Sequence, residues 1–152
     1  MSREPARVLF ICTGNSARSI LAEALANHHG VGSVVALSAG SHPKGRVNPS
    51  AIATLQRHGL PTAGLRSKAW EEFAAPGAQA IDHVITVCDH AAGEICPAWP
   101  GEPAVEHWSI PDPAAVTRST ESVRDAFESA YLDLERRVLD LLQRMTIGRV
   151  PE

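Results

Sequence analysis

Apolar positions along this chain come in two spacings, short unbroken runs and stripes at helical intervals, and the two alternate. Val8-Leu9-Phe10-Ile11 is an unbroken run of strand formers. Small polar residues follow it. A stripe at Ile20, Leu21, Ala24, Leu25 and His28 then predicts a helix that starts near Arg18 and stops at Gly30. Residues 34–37 read as a second strand, ended by Gly40. Asn48 is placed to cap a helix with Pro49 in its first turn and Ile52 and Leu55 inside. Ser67 is placed to cap a short helix through Phe73. Residues 81–87 form a third strand and 105–108 a weaker fourth. The clearest element is the last, where Val123, Phe127, Tyr131, Leu134, Val138, Leu141 and Met145 share one face of a helix. Asp133, Arg136, Arg137 and Asp140 lie on its other face.

Strands alternating with helices predict an α/β fold: a single-domain, three-layer arrangement with a four-stranded parallel sheet flanked by helices over residues 1–152. The loops leaving the carboxyl ends of such strands gather at one edge, where ligands bind. The residue after Ile11 is Cys12 and the residue after Val87 is Cys88, so the two thiols are expected to be neighbours. Residues 96–113 carry Pro97, Pro100, Pro103, Pro111 and Pro113, five of the eleven prolines. That stretch reads as a mostly irregular loop beside the site, with room for one short strand.

Composition narrows the class. The 152 residues are 44% hydrophobic and 20% charged, which fits a globular domain and excludes disorder. The net charge of −3 argues against a nucleic-acid partner, so an anionic substrate needs a local attractor. No apolar run is long enough to span a membrane, and the first residues do not read as a signal peptide. Three cysteines are too few for a disulfide framework. A cytoplasmic protein with functional thiols is the expectation.

The candidate chemistry sits in Cys12-Thr13-Gly14-Asn15-Ser16-Ala17-Arg18-Ser19, a loop that enters a helix. Its backbone N–H groups are positioned to form an anion nest, strengthened by the positive helix end. Arg18 offers a bidentate grip on a tetrahedral oxyanion. Gly14 and Asn15 tolerate left-handed backbone. Cys12, in that field, is expected to have its pKa drawn from ~8.5 into the range of about 3.5–7.5, and the Ser19 hydroxyl is placed to donate to the thiolate.

Residues 8–19 resemble the low-molecular-weight protein tyrosine phosphatase superfamily, and more narrowly the arsenate reductases built on that fold. Ser38-Ala39-Gly40, Val47-Asn48-Pro49, Ile85-Thr86-Val87-Cys88-Asp89, His107-Trp108 and Asp112-Pro113 follow the arsenate reductase pattern in the same order. The resemblance implies a thiolate attack by Cys12 on arsenate, with phosphate as its analogue. Asp112 is the matching general acid and Cys88 the matching resolving thiol. It also implies no bound cofactor but an external thiol reductant, thioredoxin or glutathione with glutaredoxin. The alternative is a phosphatase that hydrolyses the Cys12 adduct of a phosphomonoester with water. Ala114-Ala115 stand where the tyrosine phosphatases carry aromatic residues, which favours the reductase.

Cys96 is the third thiol. In the thioredoxin-coupled reductases the two redox-segment cysteines are seven residues apart; here Cys88 and Cys96 are eight apart. A fully helical segment would hold their α-carbons roughly 12 Å apart, against the about 4.4–6.8 Å of a disulfide. Gly93 and Pro97 ease a bend. A small apolar residue under the proline-rich loop is the other reading of Cys96.

Potassium-binding members use an Asn, a Glu and a Ser that match Asn15, Glu23 and Ser38, and an Asp where this chain has Lys68. The ammonium of Lys68 is therefore expected to replace the cation. No histidine pattern predicts a metal site. Trp70, Trp99 and Trp108 read as packing residues, with Trp108 shaping the loop that carries Asp112.

Overall fold

A computed structural model describes residues 4–94 and 97–147; Cys96 lies outside the described residues. Four strands, β1 (Ala6–Ile11), β2 (Val34–Ala39), β3 (His83–Thr86) and β4 (Ala104–His107), form one sheet in the order β2-β1-β3-β4. Every pairing is parallel. Ala6 faces Val34, Val8 faces His83, and His83 faces Ala104. The carboxyl ends of β1 and β3 are thus adjacent; Cys12 follows β1 directly and Cys88 is the second residue after β3.

The helices are α1 (Arg18–His29), α2 (Pro49–Arg57), the four-residue α3 (Asp89–Ala92) and α4 (Thr120–Ile147). α4 packs along α1 and α2, burying Phe127, Tyr131, Leu134, Val138 and Leu141, the stripe read from the sequence. β1 lies at the centre of the core, with Val8, Leu9 and Phe10 fully buried. Ile11, Val84, Ala91, Trp70 and Trp99 line a cavity of about 240 Å³ between the sheet, α3 and a 3₁₀ turn at Trp70–Phe73.

Three predicted elements come out differently. No α-helix starts at Ser67; only the 3₁₀ turn at Trp70–Phe73 forms. The Ser67 hydroxyl is used elsewhere, donating to the Gly14 carbonyl and accepting the Gly45 N–H. β3 is shorter than 81–87, and ahead of it the Ile81 N–H donates to the Pro100 carbonyl. His28 is exposed rather than part of the buried face of α1. Gly30 does end α1, but by close packing and not by left-handed backbone. A Cβ there would lie 2.5 Å from Val34 Cγ2 and 2.8 Å from the Ala26 carbonyl oxygen.

The Asn48 cap is as predicted: its side chain accepts the Ser50 N–H at 2.8 Å. Among the described residues no helix is long and apolar enough to cross a membrane.

Candidate active site

The loop between β1 and α1 is fixed by contacts from three directions. Asn15 adopts the left-handed backbone, with φ of 44°, and is fully buried. Its amide donates to Ser19 Oγ at 2.8 Å and Ser38 Oγ at 3.0 Å, and its oxygen accepts the Lys68 N–H at 2.8 Å. One side chain therefore ties the loop to α1, β2 and the 66–69 segment. Gly14 keeps ordinary φ; its missing side chain makes room for Lys44, whose Cε would lie 3.2 Å from an added Cβ. Gly40 has the tighter requirement, since a Cβ there would lie 2.5 Å from the Thr13 carbonyl oxygen.

Cys12 is buried, with its sulfur 3.1 Å from Ser19 Oγ. Cys88, also buried, accepts the Thr13 N–H at 3.3 Å and lies 3.6 Å from Thr13 Oγ1. The sheet edge thus brings both thiols to one loop, as the sequence predicts. The ionisation of the pair does not follow the expectation. The Cys88 sulfur, then burial, hold the Cys12 thiol above its ordinary value, while Ser19 pulls it down. Cys88 is drawn down to about 5, first by Cys12 and then, against the cost of burial, by Thr13 and the Ala91 N–H. More donors surround Cys88 than Cys12, and two adjacent sulfurs cannot both carry charge cheaply, so the two thiols titrate as a pair that holds one charge between them first.

Arg18 and Asp112 face each other across the mouth. One guanidinium nitrogen donates to the Ile110 carbonyl at 2.9 Å, and another lies 3.8 Å from Asp112 Oδ2. Arg18 therefore anchors the loop that carries the candidate acid. Asp112 also accepts the Ala114 N–H at 2.9 Å, capping a 3₁₀ turn at Pro113–Ala115. Turn residue and candidate acid are one side chain: Oδ1 holds the turn while Oδ2 faces Arg18. Trp108 is buried against Phe10, with ring centroids 5.7 Å apart, and donates to Glu106 at 2.6 Å.

Beneath the loop lies the polar cluster expected from Asn15, Glu23, Ser38 and Lys68. Ser38 Oγ donates to Glu23 at 2.5 Å; the Lys68 ammonium donates to the Arg66 carbonyl at 2.9 Å and lies 3.7 Å from Glu23. Burial holds Glu23 above the ordinary carboxylate range and Lys68 below the ordinary lysine range. Lys68 points inward, and its ammonium occupies the centre of the cluster. Among the described residues no three His, Cys, Asp or Glu side chains gather as a metal site.

Two features escaped the sequence reading. Residues 41–45 wall the site, placing His42 and Lys44 on a cavity of about 200 Å³ shared with Cys12, Arg18 and Asp112. The α3 segment is held at both ends by side chains. Asp89 pairs with His107 at 2.8 Å, and Glu94 accepts from Ser41 at 2.6 Å and lies 3.5 Å from His42. Neither arrangement has a local sequence signal, because each partner lies on a different strand's exit loop.

Residues 7–149 match the profile of the low molecular weight phosphotyrosine protein phosphatase family. A protein of Halalkalibacterium halodurans named arsenate reductase is 30% identical over 131 residues, covering 86% of this chain and 91% of that protein. A protein of Synechocystis sp. named glutaredoxin arsenate reductase is 34% identical over 107 residues, covering 70% of this chain and 78% of that protein. A solved structure described as an arsenate reductase in the phosphate binding state superposes with a TM-score of 0.76 at 29% identity, covering 91% of this chain and 98% of that one.

Proposed function

The chain belongs to the low molecular weight phosphotyrosine protein phosphatase family, and within it we propose that this protein is an arsenate reductase that works through two of its own thiols and an external thiol reductant. The observation that carries the reading is the convergence of Cys12 and Cys88 on Thr13, where Cys88 accepts the N–H of the residue that follows Cys12. Hydrolysis of a Cys12 adduct by water does not require a second thiol, whereas reduction does.

Arsenate enters the nest with its oxygens on the loop N–H groups and Arg18. Cys12 gives its proton to the arsenate dianion on entry, and its thiolate attacks arsenic. The departing oxygen takes a proton from Asp112 and leaves as water. Cys88 then attacks the Cys12 sulfur. The sulfur–arsenic electron pair passes to arsenic, which departs as arsenite, and a Cys12–Cys88 disulfide remains. Cys88 is suited to this step because the Thr13 N–H donates to its sulfur and the Thr13 hydroxyl lies beside it, which favours its thiolate. An external thiol reductant closes the cycle; Cys96 is the residue through which a protein donor would draw the disulfide outward by thiol exchange. Ala114 and Ala115 stand where the tyrosine phosphatases carry aromatic residues, so that clamp on a phosphotyrosine ring is missing. The cytoplasm supplies the reducing pool such a cycle needs.

The test compares arsenate reduction with p-nitrophenyl phosphate hydrolysis on one purified sample, with thioredoxin, glutaredoxin plus glutathione, and glutathione alone as donors. Reduction with at least one donor, and hydrolysis far slower, supports the reading. Fast hydrolysis without arsenate reduction under any donor would make the protein a phosphatase.

A further inference from the structure

The cavity over Cys12 has a second cation that the steps above do not use. Residues 41–45 are bonded to the anion loop. The His42 N–H donates to the Thr13 carbonyl at 2.9 Å and the Lys44 N–H to the Gly14 carbonyl at 2.9 Å. Ser67 closes the joint, donating to the Gly14 carbonyl at 3.3 Å and accepting the Gly45 N–H at 3.1 Å. The alkyl stem of Lys44 lies across Gly14, with its Cγ, Cδ and Cε all within 3.2–3.5 Å of where a Cβ would sit. That course carries the side chain along the wall of the cavity shared with Cys12, Arg18 and Asp112.

Charge gives this cation a task. A doubly ionised oxyanion brings two negative charges into the nest, and they stay there, shared with the Cys12 thiolate, once the proton has passed. Arg18 offers one positive charge and is partly committed to the Ile110 carbonyl and Asp112. Among the described residues the Lys44 ammonium has neither an ion pair nor a hydrogen bond, so its charge is available to a ligand. Lys44 is exposed, so its charge stands at the entrance, where a cation draws the anion in.

We propose that Lys44 is the second substrate-binding cation of this site and selects the doubly charged tetrahedral oxyanion over the singly charged form. Gly14 is part of the device, since its bare Cα is the surface on which the lysine stem rests. The proposal rests on the reading of this cavity as the arsenate site, so its first test uses phosphate binding, which needs no turnover. Phosphate is titrated calorimetrically into the native chain, Lys44→Met and Lys44→Arg, on either side of phosphate's second ionisation. Native affinity is expected to rise as the dianion forms. Lys44→Met is expected to bind the dianion about ten- to a hundredfold more weakly and to lose that rise. Lys44→Arg is expected to restore both. In arsenate turnover, Lys44→Met should raise KM and leave kcat nearly unchanged, the signature of a contact made equally in ground and transition states. Equal phosphate affinities for native and Lys44→Met at both pH values would overturn the proposal. If the affinity differences held but none of the three proteins reduced arsenate, the reductase reading would fall and the role of Lys44 would stand.

Discussion

Replacing Lys68 with methionine removes the charge at the centre of the cluster beneath the anion loop and leaves Glu23 facing Ser38 alone. Both side chains of the pair are nearly enclosed, 8% and 14% exposed, and their charges lie 3.7 Å apart. At an effective dielectric near 20 the attraction at that distance is about 4 kcal/mol. Breaking a buried pair from one side costs about 3–5 kcal/mol. The methionine recovers some packing, so a loss of about 2–4 kcal/mol at neutral pH is expected, or roughly 4–16 °C in Tm for a chain of this size. The pH dependence identifies the cause. Glu23 already titrates above its ordinary 4.5 because it is buried, and Lys68 is one of the groups pulling it back down. Without Lys68 its folded pKa rises further. A carboxyl raised in the folded state contributes stability that is full below its unfolded pKa and is lost as pH rises through the folded value. The deficit of Lys68→Met should therefore be smallest in acid and grow as the variant's Glu23 ionises, reaching a plateau above its folded pKa. Urea unfolding of both proteins at about pH 5 and about pH 8 measures it. A deficit under about 1 kcal/mol, or one identical at the two pH values, would refute the reasoning.

Potassium, compared with sodium at equal ionic strength, should change neither Tm nor turnover of the native chain, because the Lys68 ammonium already sits against Glu23 and Ser38; a potassium-specific rise in Tm would contradict this. Asp112→Asn should slow formation of the Cys12 adduct by about 10²–10⁴-fold, read by rapid quench, and an unchanged rate would reduce Asp112 to its turn-capping bond with Ala114. Ultraviolet titration should show one thiolate forming near pH 5; that step should survive in Cys12→Ala only in shifted form and vanish in Cys88→Ser, whereas its persistence in Cys88→Ser would assign it to Cys12. Cys88→Ser should form one arsenic adduct and stop with every donor; normal turnover with glutathione and glutaredoxin would mean that an external thiol attacks Cys12 directly.

The parts of the site carried by consecutive residues were legible in the sequence. A strand, a loop running from Cys12 to Arg18 and a helix stripe are local facts, and the parallel sheet they imply places Cys88 beside Cys12 without further information. The errors came where a side chain had a choice of partner. Ser67 reads as a cap, yet its hydroxyl is spent on Gly14 and Gly45 from a different part of the chain. The loop field around Cys12 reads as acting on that thiol alone, yet the second sulfur beside it makes the two titrate as a pair. Lys44 and the Ser41–Glu94 pair carry no local pattern. Their positions follow from how the exits of β2 and β3 meet, and that depends on the close approach of Gly40 to Thr13.

The side-chain fastenings of α3 set a scale for how readily that segment can come away. It buries the Ala91 methyl and is held by the Asp89–His107 and Ser41–Glu94 pairs, with a single turn of its own backbone bonds. Two side-chain pairs, one of them solvent-exposed, and one buried methyl are few fastenings, so opening residues 89–94 costs less than unfolding the whole domain. In hydrogen exchange this segment should behave as a separate low-lying unit, trading its amide protons while those of β1 stay protected. The protein can thus expose the chain leading away from Cys88 many times over without loosening the sheet that keeps Cys12 in place.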